Sequence, residues 1–255
     1  FNGVDIVLGA TDADTARRFA PSIRVSGAVF IDNSSAFRMR DDVPLVIPEI
    51  NGDDAMRHSG IISNPNCSTI ITLMAVYPLH RLSQIERMVV STYQAVSGAG
   101  RDGMEELIAQ NKATADGREA ENRVFAHRIA ENLIPKIGSL ADDNYTSEEM
   151  KMQNEGRKIL HSPSLAVTCT CVRVPVMRSH SISAAKKAIG DFAGDILYDA
   201  PEAEIYPMPI VAEGKNEVYV GRVRRALDSP RGISLWCSGD QIRKGAAANA
   251  VQIAE

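Results

Sequence analysis

The sequence lacks the features that mark several broad classes of protein. It has no excess of basic residues, since 28 Lys and Arg stand against 32 Asp and Glu for a net charge of -4, so the phosphate contacts of a nucleic-acid binder are not expected. Its longest apolar runs, such as Ile70–Tyr77, are far shorter than the ~20 residues that cross a bilayer. We therefore expect neither a nucleic-acid partner nor a membrane partner.

Cysteine is also scarce, and its spacing follows no metal or disulfide pattern. The four cysteines stand at positions 67, 169, 171 and 237, without a CxxC pair or the spacing of a small disulfide-bonded domain. Cys169 and Cys171 share one face of a predicted strand and have no second ligand pair at zinc spacing. We interpret them as buried core thiols, expect no metal site, and expect a reducing, cytoplasmic setting.

The sequence does contain enough apolar residues for a large core. Of its 255 residues, 44% are apolar and 24% are charged, which fits one large or two modest globular domains. The chain starts at Phe1 and enters a strand-like run within a few residues, with neither an initiator methionine nor a signal-peptide pattern. We therefore expect it to be a piece of a longer polypeptide.

Two patterns of secondary structure divide the chain near residues 64–67. Before that point, short apolar runs alternate with a helix capped by Asp12, which is typical of βαβ units and a parallel sheet. The strands predicted there are Val4–Leu8, Ala28–Asp32, Pro44–Pro48 and Gly60–Ser63, and the helix is Asp12–Pro21.

The second pattern predicts an α+β portion built on a mostly antiparallel sheet. Its predicted strands are Met88–Ala95, Leu165–Val174, His180–Ser183, Glu217–Val223 and Gly232–Cys237. Its predicted helices are Ser68–Ser83, Asp102–Thr114, Ser147–Leu160, Ala184–Phe192 and Asp240–Ala254.

Cys67 lies where the helix over 68–83 is expected to begin, directly after an Asn-Pro turn. The free N–H groups and positive dipole end of a helix N-terminus favour thiolate over thiol, which is the state that a nucleophile requires. Free cysteine is also among the most frequently buried residue types, so simple packing is the other interpretation of this residue.

A second candidate cluster follows the long alternating strand. The run Arg173–His180 places two arginines and an imidazole near the predicted buried end of a strand, where a cation needs an anion to face it. An anionic substrate would supply that anion, and His180 would serve as the proton partner of a cysteine nucleophile. Alternatively, Arg173 and Arg178 are solvated edge charges and His180 lies on the surface.

Two further cations could meet a phosphate. Arg38 follows a predicted strand through a polar turn whose hydroxyls and amides suit an anion. Lys151 stands three residues after Glu148 on a predicted helix, where pairing between the two is the simpler interpretation.

Five motifs, taken in order, resemble the aspartate-β-semialdehyde dehydrogenase family. They are Asp32–Met39, Val46–Asn51, Asn64–Thr69, Tyr93–Gly100 and Arg173–His180, and the likeness continues through Arg243–Ala247 and Asn249–Ile253. The family interconverts 4-phospho-L-aspartate with L-aspartate 4-semialdehyde and phosphate, using NADP, in lysine, methionine and threonine biosynthesis.

The resemblance implies a domain organisation. It implies an incomplete Rossmann-type NADP-binding domain formed by residues 1–66 and 238–255. It implies a catalytic and dimerisation domain at residues 67–237, and a homodimer.

The resemblance also implies roles for particular residues. Cys67 matches the nucleophile that forms a thioester, Gln94 the residue that orients the intermediate, and His180 the general acid and base. Arg173 matches the arginine that grips the substrate α-carboxylate, a task suited to a planar bidentate donor. The remaining matches are phosphate ligands and cofactor contacts: Arg38, Lys151 and Asn66 for phosphate, and Ser97, Gly98 and Asn249 for NADP.

Two alternatives stay open. N-acetyl-γ-glutamyl-phosphate reductase shares the reaction plan, although the context of Cys67 and the spacing between Arg173 and His180 favour the aspartate enzyme. The other alternative is a non-catalytic fragment, because the glycine-rich dinucleotide turn of the family is expected to precede Phe1. If the 255 residues act alone, we expect an incomplete sheet and weak or no NADP binding.

Overall fold

A computed structural model describes residues 1–183, 192–226 and 232–255 of the protein. The strands of this described part are β1 (Ile6–Gly9), β2 (Val29–Asp32), β3 (Ile61–Ser63), β4 (Arg87–Gln94), β5 (Ala166–Arg173), β6 (His180–Ile182), β7 (Asp195–Leu197), β8 (Val218–Arg225) and β9 (Ile233–Gly239). Its α-helices are α1 (Ala13–Val25), α2 (Pro48–Asn51), α3 (Cys67–Leu82), α4 (Gly100–Ala115), α5 (Ser147–Ile159), α6 (Pro209–Ala212) and α7 (Ala248–Ala254). The predicted helix Ala184–Phe192 falls almost wholly on residues 184–191, outside the described residues.

The first sheet is parallel, in the order β1-β2-β3, as the βαβ pattern predicts. Asp12 caps α1, since its carboxylate accepts the N–H groups of Asp14 and Thr15 at 3.0 and 2.9 Å. The helix continues four residues past its predicted end at Pro21. Burial of one continuous face, formed by Ala16, Ala20 and Ile23, outweighs the hydrogen bond that the proline cannot make.

The predicted strand Pro44–Pro48 is wrong. Only Leu45 forms an isolated parallel bridge, to Ser63, and Pro48 begins α2. Both prolines lack the N–H group that a strand ladder needs, and a proline fits the first turn of a helix.

The second sheet has the order β5-β4-β6-β9-β8-β7. Among its described strands it is mixed: three of the five pairings are antiparallel, while β4 pairs with β5, and β7 with β8, in parallel. The longest ladder joins Arg87–Gln94 to Ala166–Arg173, and a crossover containing α4 and α5 connects these two strands. A crossover of that kind makes neighbouring strands parallel. Alternation of inward and outward residues is the same in parallel and antiparallel strands, so it could not reveal this direction.

The main core lies between this sheet and α3. Ile70, Ile71, Leu73 and Met74 of α3 are fully buried against inward-facing residues of the sheet. Cys169 and Cys171 lie in this core as free thiols with their sulfurs 3.6 Å apart, which confirms their interpretation as buried core residues. The outward residues of β4 are uncovered, since Val89 is 65% and Tyr93 38% exposed.

The C-terminal segment returns to the first sheet. The predicted helix Asp240–Ala254 is instead a π-helical turn over Arg243–Ala247 followed by α7. It starts late because the Asp240 carboxylate accepts the Ile242 N–H at 2.9 Å and so ends the preceding loop. Ala250 of α7 packs beside Ile31 and Ile62.

The domain boundaries at 1–66, 67–237 and 238–255 remain predictions. Of the helices described, none is sufficiently long and apolar to span a bilayer.

Candidate active site

Cys67 is the first residue of α3, as predicted. Asn66 caps the helix, since its side-chain oxygen accepts the N–H groups of Ser68 and Thr69 at 3.0 and 3.3 Å. Because β3 ends at Ser63, the thiol lies at the carboxyl edge of the parallel sheet, where open α/β sheets bind their ligands. Gly245 packs closely here: a Cβ on it would lie 3.1 Å from the Cys67 Cβ.

His180 faces the sulfur. Its Nε2 lies 3.5 Å from the Cys67 Sγ, and its Nδ1 accepts the Ala95 backbone N–H at 3.1 Å. Because an acceptor nitrogen has no proton in the neutral ring, the imidazole proton lies on Nε2 and points toward the sulfur. Burial, with the nearby charge of Arg173, lowers the pKa of His180 to about 3, so the ring is neutral near pH 7.

The electrostatic expectation for Cys67 is wrong in this structure. Burial raises the pKa of the Cys67 thiol to about 11, and the negative charge of Glu148 adds to the increase. Arg38 and Arg173 act in the opposite direction, but lost hydration outweighs them. The thiol form therefore predominates near pH 7, despite the position at a helix N-terminus.

Glu148 links three of the predicted residues. Its Oε1 accepts the side-chain amides of Asn66 at 2.9 Å and Gln94 at 3.3 Å, and its Oε2 accepts Lys151 Nζ at 2.9 Å. The pairing of Lys151 with Glu148 is therefore confirmed. Burial alone would raise the pKa of the Glu148 carboxyl, but Lys151 and the two amides hold it below its ordinary value.

Glu155 anchors Arg38 in the same network. Its Oε1 accepts Arg38 Nη1 at 3.1 Å, and its Oε2 accepts the backbone N–H of Asn66 at 2.8 Å. The guanidinium also donates to the Asn33 carbonyl at 2.7 Å. The structure thus brings Arg38, Lys151 and Asn66 into one cluster beside Cys67.

Sequence reasoning gave neither Glu148 nor Glu155 a place in the site. The signal was present on α5, where Glu148, Lys151 and Glu155 recur at i, i+3 and i+7 and so share one helix face. A charged face of this kind is ordinarily solvated, and only the packing of α5 against α3 buries it.

Arg173 is buried, and among the described residues it has no carboxylate partner. It is 6% exposed, and its Nη1 donates to the Ala95 carbonyl at 2.6 Å. Burial lowers the pKa of its guanidinium. The solvated-edge interpretation is therefore wrong for Arg173 and for His180, both of which are buried, whereas Arg178 pairs with Asp240 at 2.9 Å.

The three predicted cofactor contacts occupy different positions. Ser97 and Gly98 form part of a 3-10 turn after β4, and Gly98 is exposed beside the cluster. A Cβ at Gly98 would lie 2.7 Å from Arg173 Nη1 and 3.3 Å from His180 Cε1, so any other residue there would displace the Arg173 guanidinium.

Asn249 is fully buried, and its amide is occupied. Its Nδ2 donates to the Val46 carbonyl at 3.0 Å and to Asn64 Oδ1 at 2.6 Å, while its Oδ1 accepts Lys244 Nζ at 2.9 Å. The structure does not bring this side chain to the surface of the Cys67 cluster. Its contact with a cofactor remains a prediction.

Comparison with known proteins places this chain in a family. Residues 1–58 match the family model for the NAD-binding domain of semialdehyde dehydrogenases, and residues 76–244 match the model for their dimerisation domain. The class defined by this fold and site is therefore that of dinucleotide-binding semialdehyde dehydrogenases.

Individual relatives agree on one enzyme. The aspartate-semialdehyde dehydrogenases of Synechocystis and Aquifex aeolicus are each 46% identical to the chain, over 100% of its length and 79% of their own. The solved structure of aspartate semialdehyde dehydrogenase II from Vibrio cholerae has a TM-score of 0.95 at 41% identity, with 98% of this chain and 78% of that chain covered. A second structure of that enzyme, with the same score and coverage, is complexed with ASA, aspartate semialdehyde. The chain belongs to the aspartate-semialdehyde dehydrogenase family.

Proposed function

We propose that the protein catalyses the reversible, phosphate-dependent oxidation of L-aspartate 4-semialdehyde to 4-phospho-L-aspartate with NADP, through a thioester on Cys67. The observation that carries the proposal is the contact of 3.5 Å between Cys67 Sγ and His180 Nε2, beside the buried Arg173, which has no carboxylate partner in the described part of the chain. The relative from Vibrio cholerae that binds the semialdehyde supports this choice of substrate.

The charges of the cluster match the groups of this substrate. Beyond its bond to the Ala95 carbonyl, Arg173 has N–H groups that no side chain of the described residues accepts, and these would bind the α-carboxylate as a bidentate pair. Glu148 is a carboxylate that faces the same space, and it would bind the α-ammonium group. The aldehyde carbon would then lie at the sulfur.

The first covalent step is attack of the Cys67 sulfur, after loss of its proton to solvent, on the aldehyde carbon. A C–S bond forms, the C=O π bond opens, and the oxygen takes the negative charge before it is protonated. His180 stabilises that charge by donating a hydrogen bond from Nε2. The Ala95 N–H favours this donor role because it donates to Nδ1. For Nε2 to accept a proton, the neutral ring would have to carry its own proton on Nδ1, where it would oppose the Ala95 N–H.

The nicotinamide would supply the redox chemistry. A bound dinucleotide would supply the hydride acceptor for oxidation of the adduct carbon, and the hydroxyl proton of the adduct would pass to solvent as the thioester forms. The exposed Gly98 fits a planar group at this point, because it has no side chain between the surrounding solvent and the Arg173–His180 pair. Ser97, whose hydroxyl accepts Gln241 Nε2, would contact the same group.

The last step transfers the acyl group to phosphate. A phosphate oxygen attacks the thioester carbonyl, the C–S bond breaks, and Cys67 leaves as a thiolate. Arg38 and Lys151 would hold the phosphate, and the Nε2–H of His180 would stabilise the departing sulfur. Asn66 would help by fixing Glu148 and the start of α3.

The experiment is an assay of nicotinamide reduction with purified protein, aspartate semialdehyde and phosphate. We expect turnover to require phosphate, to be faster with NADP than with NAD, and to fall at least about a thousandfold in Cys67→Ser. A higher kcat/KM for N-acetylglutamate semialdehyde would favour the reductase alternative, and no turnover with either aldehyde would favour the non-catalytic one.

We also infer that the protein forms a homodimer through the uncovered face of the second sheet. That face presents Val89 and Tyr93, and the Tyr93 ring lies against Trp236 with the ring centroids 5.3 Å apart and the planes at 46°. An apolar sheet face of this kind ordinarily packs against a second layer. The match of residues 76–244 to a dimerisation domain supports this assignment.

A further inference from the structure

A buried carboxylate on α4 holds a neighbouring loop by its backbone. Glu106, which is 7% exposed, accepts the Arg123 N–H at Oε2 (2.8 Å) and the Phe125 N–H at Oε1 (3.3 Å), and the Val124 N–H also donates to Oε2. Three successive N–H groups thus converge on one carboxylate, an arrangement that fixes the path of the chain around an anion.

Gln110, one helical turn further on, fixes the rest of this loop. Its Oε1 accepts the N–H groups of Ile129 and Ala130 at 2.8 and 3.1 Å, and its Nε2 donates to Glu106 Oε1 at 3.1 Å and to the Glu121 carbonyl at 2.9 Å. The helix α4 therefore holds residues 121–130, which we call the tethered loop, at both of its ends.

The tethered loop places Phe125 over Arg173. The guanidinium carbon lies 5.9 Å from the centre of the Phe125 ring, a separation at which a cation is attracted to an aromatic face. Gly103 of α4 leaves the space for this ring, since a Cβ there would lie 3.2 Å from Phe125 Cζ. Just beyond the loop, Ile134 exchanges two backbone hydrogen bonds with Arg173, at 3.0 and 2.9 Å.

These contacts leave the guanidinium little freedom. Phe125 is in contact with it, Gly98 approaches Nη1 closely, and the Ala95 carbonyl holds Nη1. A buried arginine without a counter-ion would otherwise rotate among several rotamers, and bidentate capture of a carboxylate requires one orientation of its plane.

We propose that Glu106 is a positioning residue, which acts through the tethered loop and Phe125 to orient Arg173 for the α-carboxylate of the substrate. The inference rests on the proposed role of Arg173. The hydrogen bonds of Glu106 lead to Gln110 and to the backbone of Arg123, Val124 and Phe125, so it acts through the loop.

The test measures how strongly the α-carboxylate contributes to binding, without the cofactor. Cys67 is alkylated with iodoacetamide in the intact protein, and mass spectrometry follows the rate. The measured quantity is the concentration of an aldehyde that halves this rate. It is found for aspartate semialdehyde and for 3-aminopropanal, which is the same aldehyde without the carboxylate. The concentration found for 3-aminopropanal divided by that found for aspartate semialdehyde reports recognition of the carboxylate alone, and it falls when that recognition is lost. We call it the carboxylate ratio.

We expect Glu106→Gln and Phe125→Ala each to lower the carboxylate ratio about fivefold to tenfold, with little change for 3-aminopropanal. The double variant should be no worse than Phe125→Ala, because both changes act through one ring. Glu105→Gln is the matched control: this neighbouring carboxylate is exposed and pairs with Arg101 at 2.6 Å, so the ratio should not change.

The outcomes separate this inference from the proposed function. A carboxylate ratio that is unchanged in Arg173→Lys would refute the role of Arg173 itself. A ratio that falls in Arg173→Lys but persists in Glu106→Gln and Phe125→Ala would overturn the positioning role alone. If Glu106→Gln fails to fold by circular dichroism, Phe125→Leu, which keeps apolar bulk without a flat ring, decides the question by the same ratio.

Discussion

The state of the Cys67 sulfur depends on a balance between hydration and charge at a single residue. Burial and Glu148 raise the pKa of the thiol, while Arg38 and Arg173 stabilise the thiolate. A substrate anion bound at the arginines would alter that balance again. Reactivity is therefore a property of the whole cluster and cannot be assigned to the helix N-terminus alone.

The first prediction concerns the pH dependence of Cys67 alkylation in the absence of substrate. With its pKa near 11, the thiolate fraction should rise about tenfold for each pH unit from about 7 to 10, and the iodoacetamide rate should follow it. Stopped alkylation followed by mass spectrometry of the Cys67 peptide measures this rate. A plateau at about pH 6 to 8 would instead indicate a thiolate paired with charged His180, and would contradict the neutral imidazole.

Asp195 provides a second test at this scale. It is buried, and neither of its carboxyl oxygens has a hydrogen-bond partner among residues 1–183, 192–226 and 232–255. Burial together with the charge of Glu49 raises its pKa to about 8, against the opposing effect of Lys244. Because the folded protein holds this proton more tightly than the unfolded chain, the stability that it contributes is complete below the ordinary pKa of 3.8 and is lost as the pH rises through about 8.

We therefore expect Asp195→Asn to flatten the decline of the unfolding free energy between about pH 4 and 8, where this group contributes up to about 1.4 kcal/mol per pH unit. Urea denaturation at several pH values measures the slope. Asp5→Asn, which changes an exposed carboxylate, should keep the wild-type slope. An equally steep decline in Asp195→Asn would show that other groups cause it.

Among the elements, the π-helical turn Arg243–Ala247 joins the two parts of the molecule. Lys244 is 1% exposed, and its Nζ lies within hydrogen-bond distance of both oxygens of Glu49 at 2.7 and 2.5 Å, of Asn249 Oδ1 at 2.9 Å and of Gln252 Oε1 at 2.8 Å. Glu49 belongs to α2, which packs against α3 and α7. One ammonium group therefore connects the turn that contacts Cys67 with the N-terminal portion.

We expect Lys244→Met to lower the free energy of unfolding by about 3 to 5 kcal/mol, because it leaves the Glu49 carboxylate largely buried without its cation. Urea denaturation at one pH measures the loss. Lys215→Met, an exposed substitution of the same type, should change the stability by less than about 0.5 kcal/mol. Adding Glu49→Gln should recover part of the loss, whereas an additive further loss would contradict pairing.

Local patterns identified most elements because their causes are local. The alternation of β5 and the apolar period of α3 follow from neighbouring residues. That period and the Asn-Pro turn before Cys67 correctly placed this residue at the start of a helix. The predicted strand Pro44–Pro48 does not form, because its apolar residues do not compensate for the N–H groups that the two prolines lack.

The remaining features depend on partners distant in sequence. Glu148 joins Asn66 and Gln94 across the core, Glu155 holds Arg38, and Glu106 holds the tethered loop, and no period or spacing specifies such pairings. The pKa of the Cys67 thiol cannot be predicted from local sequence for the same reason, since the burial that raises it comes from elements far along the chain.

For the whole molecule, the uncovered face of the second sheet leads to a prediction about assembly. We expect the protein to sediment as a homodimer and Val89→Glu to shift it to monomer, because a charge would be buried against an apolar partner surface. Val25→Glu is the matched control, since Val25 is 90% exposed on α1, away from this sheet. A monomeric wild type would contradict the assignment, and so would a dimer that persists in Val89→Glu. Loss of the dimer in Val25→Glu instead would place the interface on another surface.

The central claim is that the substrate becomes covalently attached to Cys67. The direct measurement is rapid quenching of the protein with aspartate semialdehyde and NADP in the absence of phosphate, followed by peptide mass spectrometry with and without hydroxylamine, which cleaves thioesters. We predict an acyl group on the Cys67 peptide that hydroxylamine removes and that does not form in Cys67→Ser. Turnover in the presence of phosphate with no acyl group at Cys67, or with the acyl group on another residue, would contradict this mechanism.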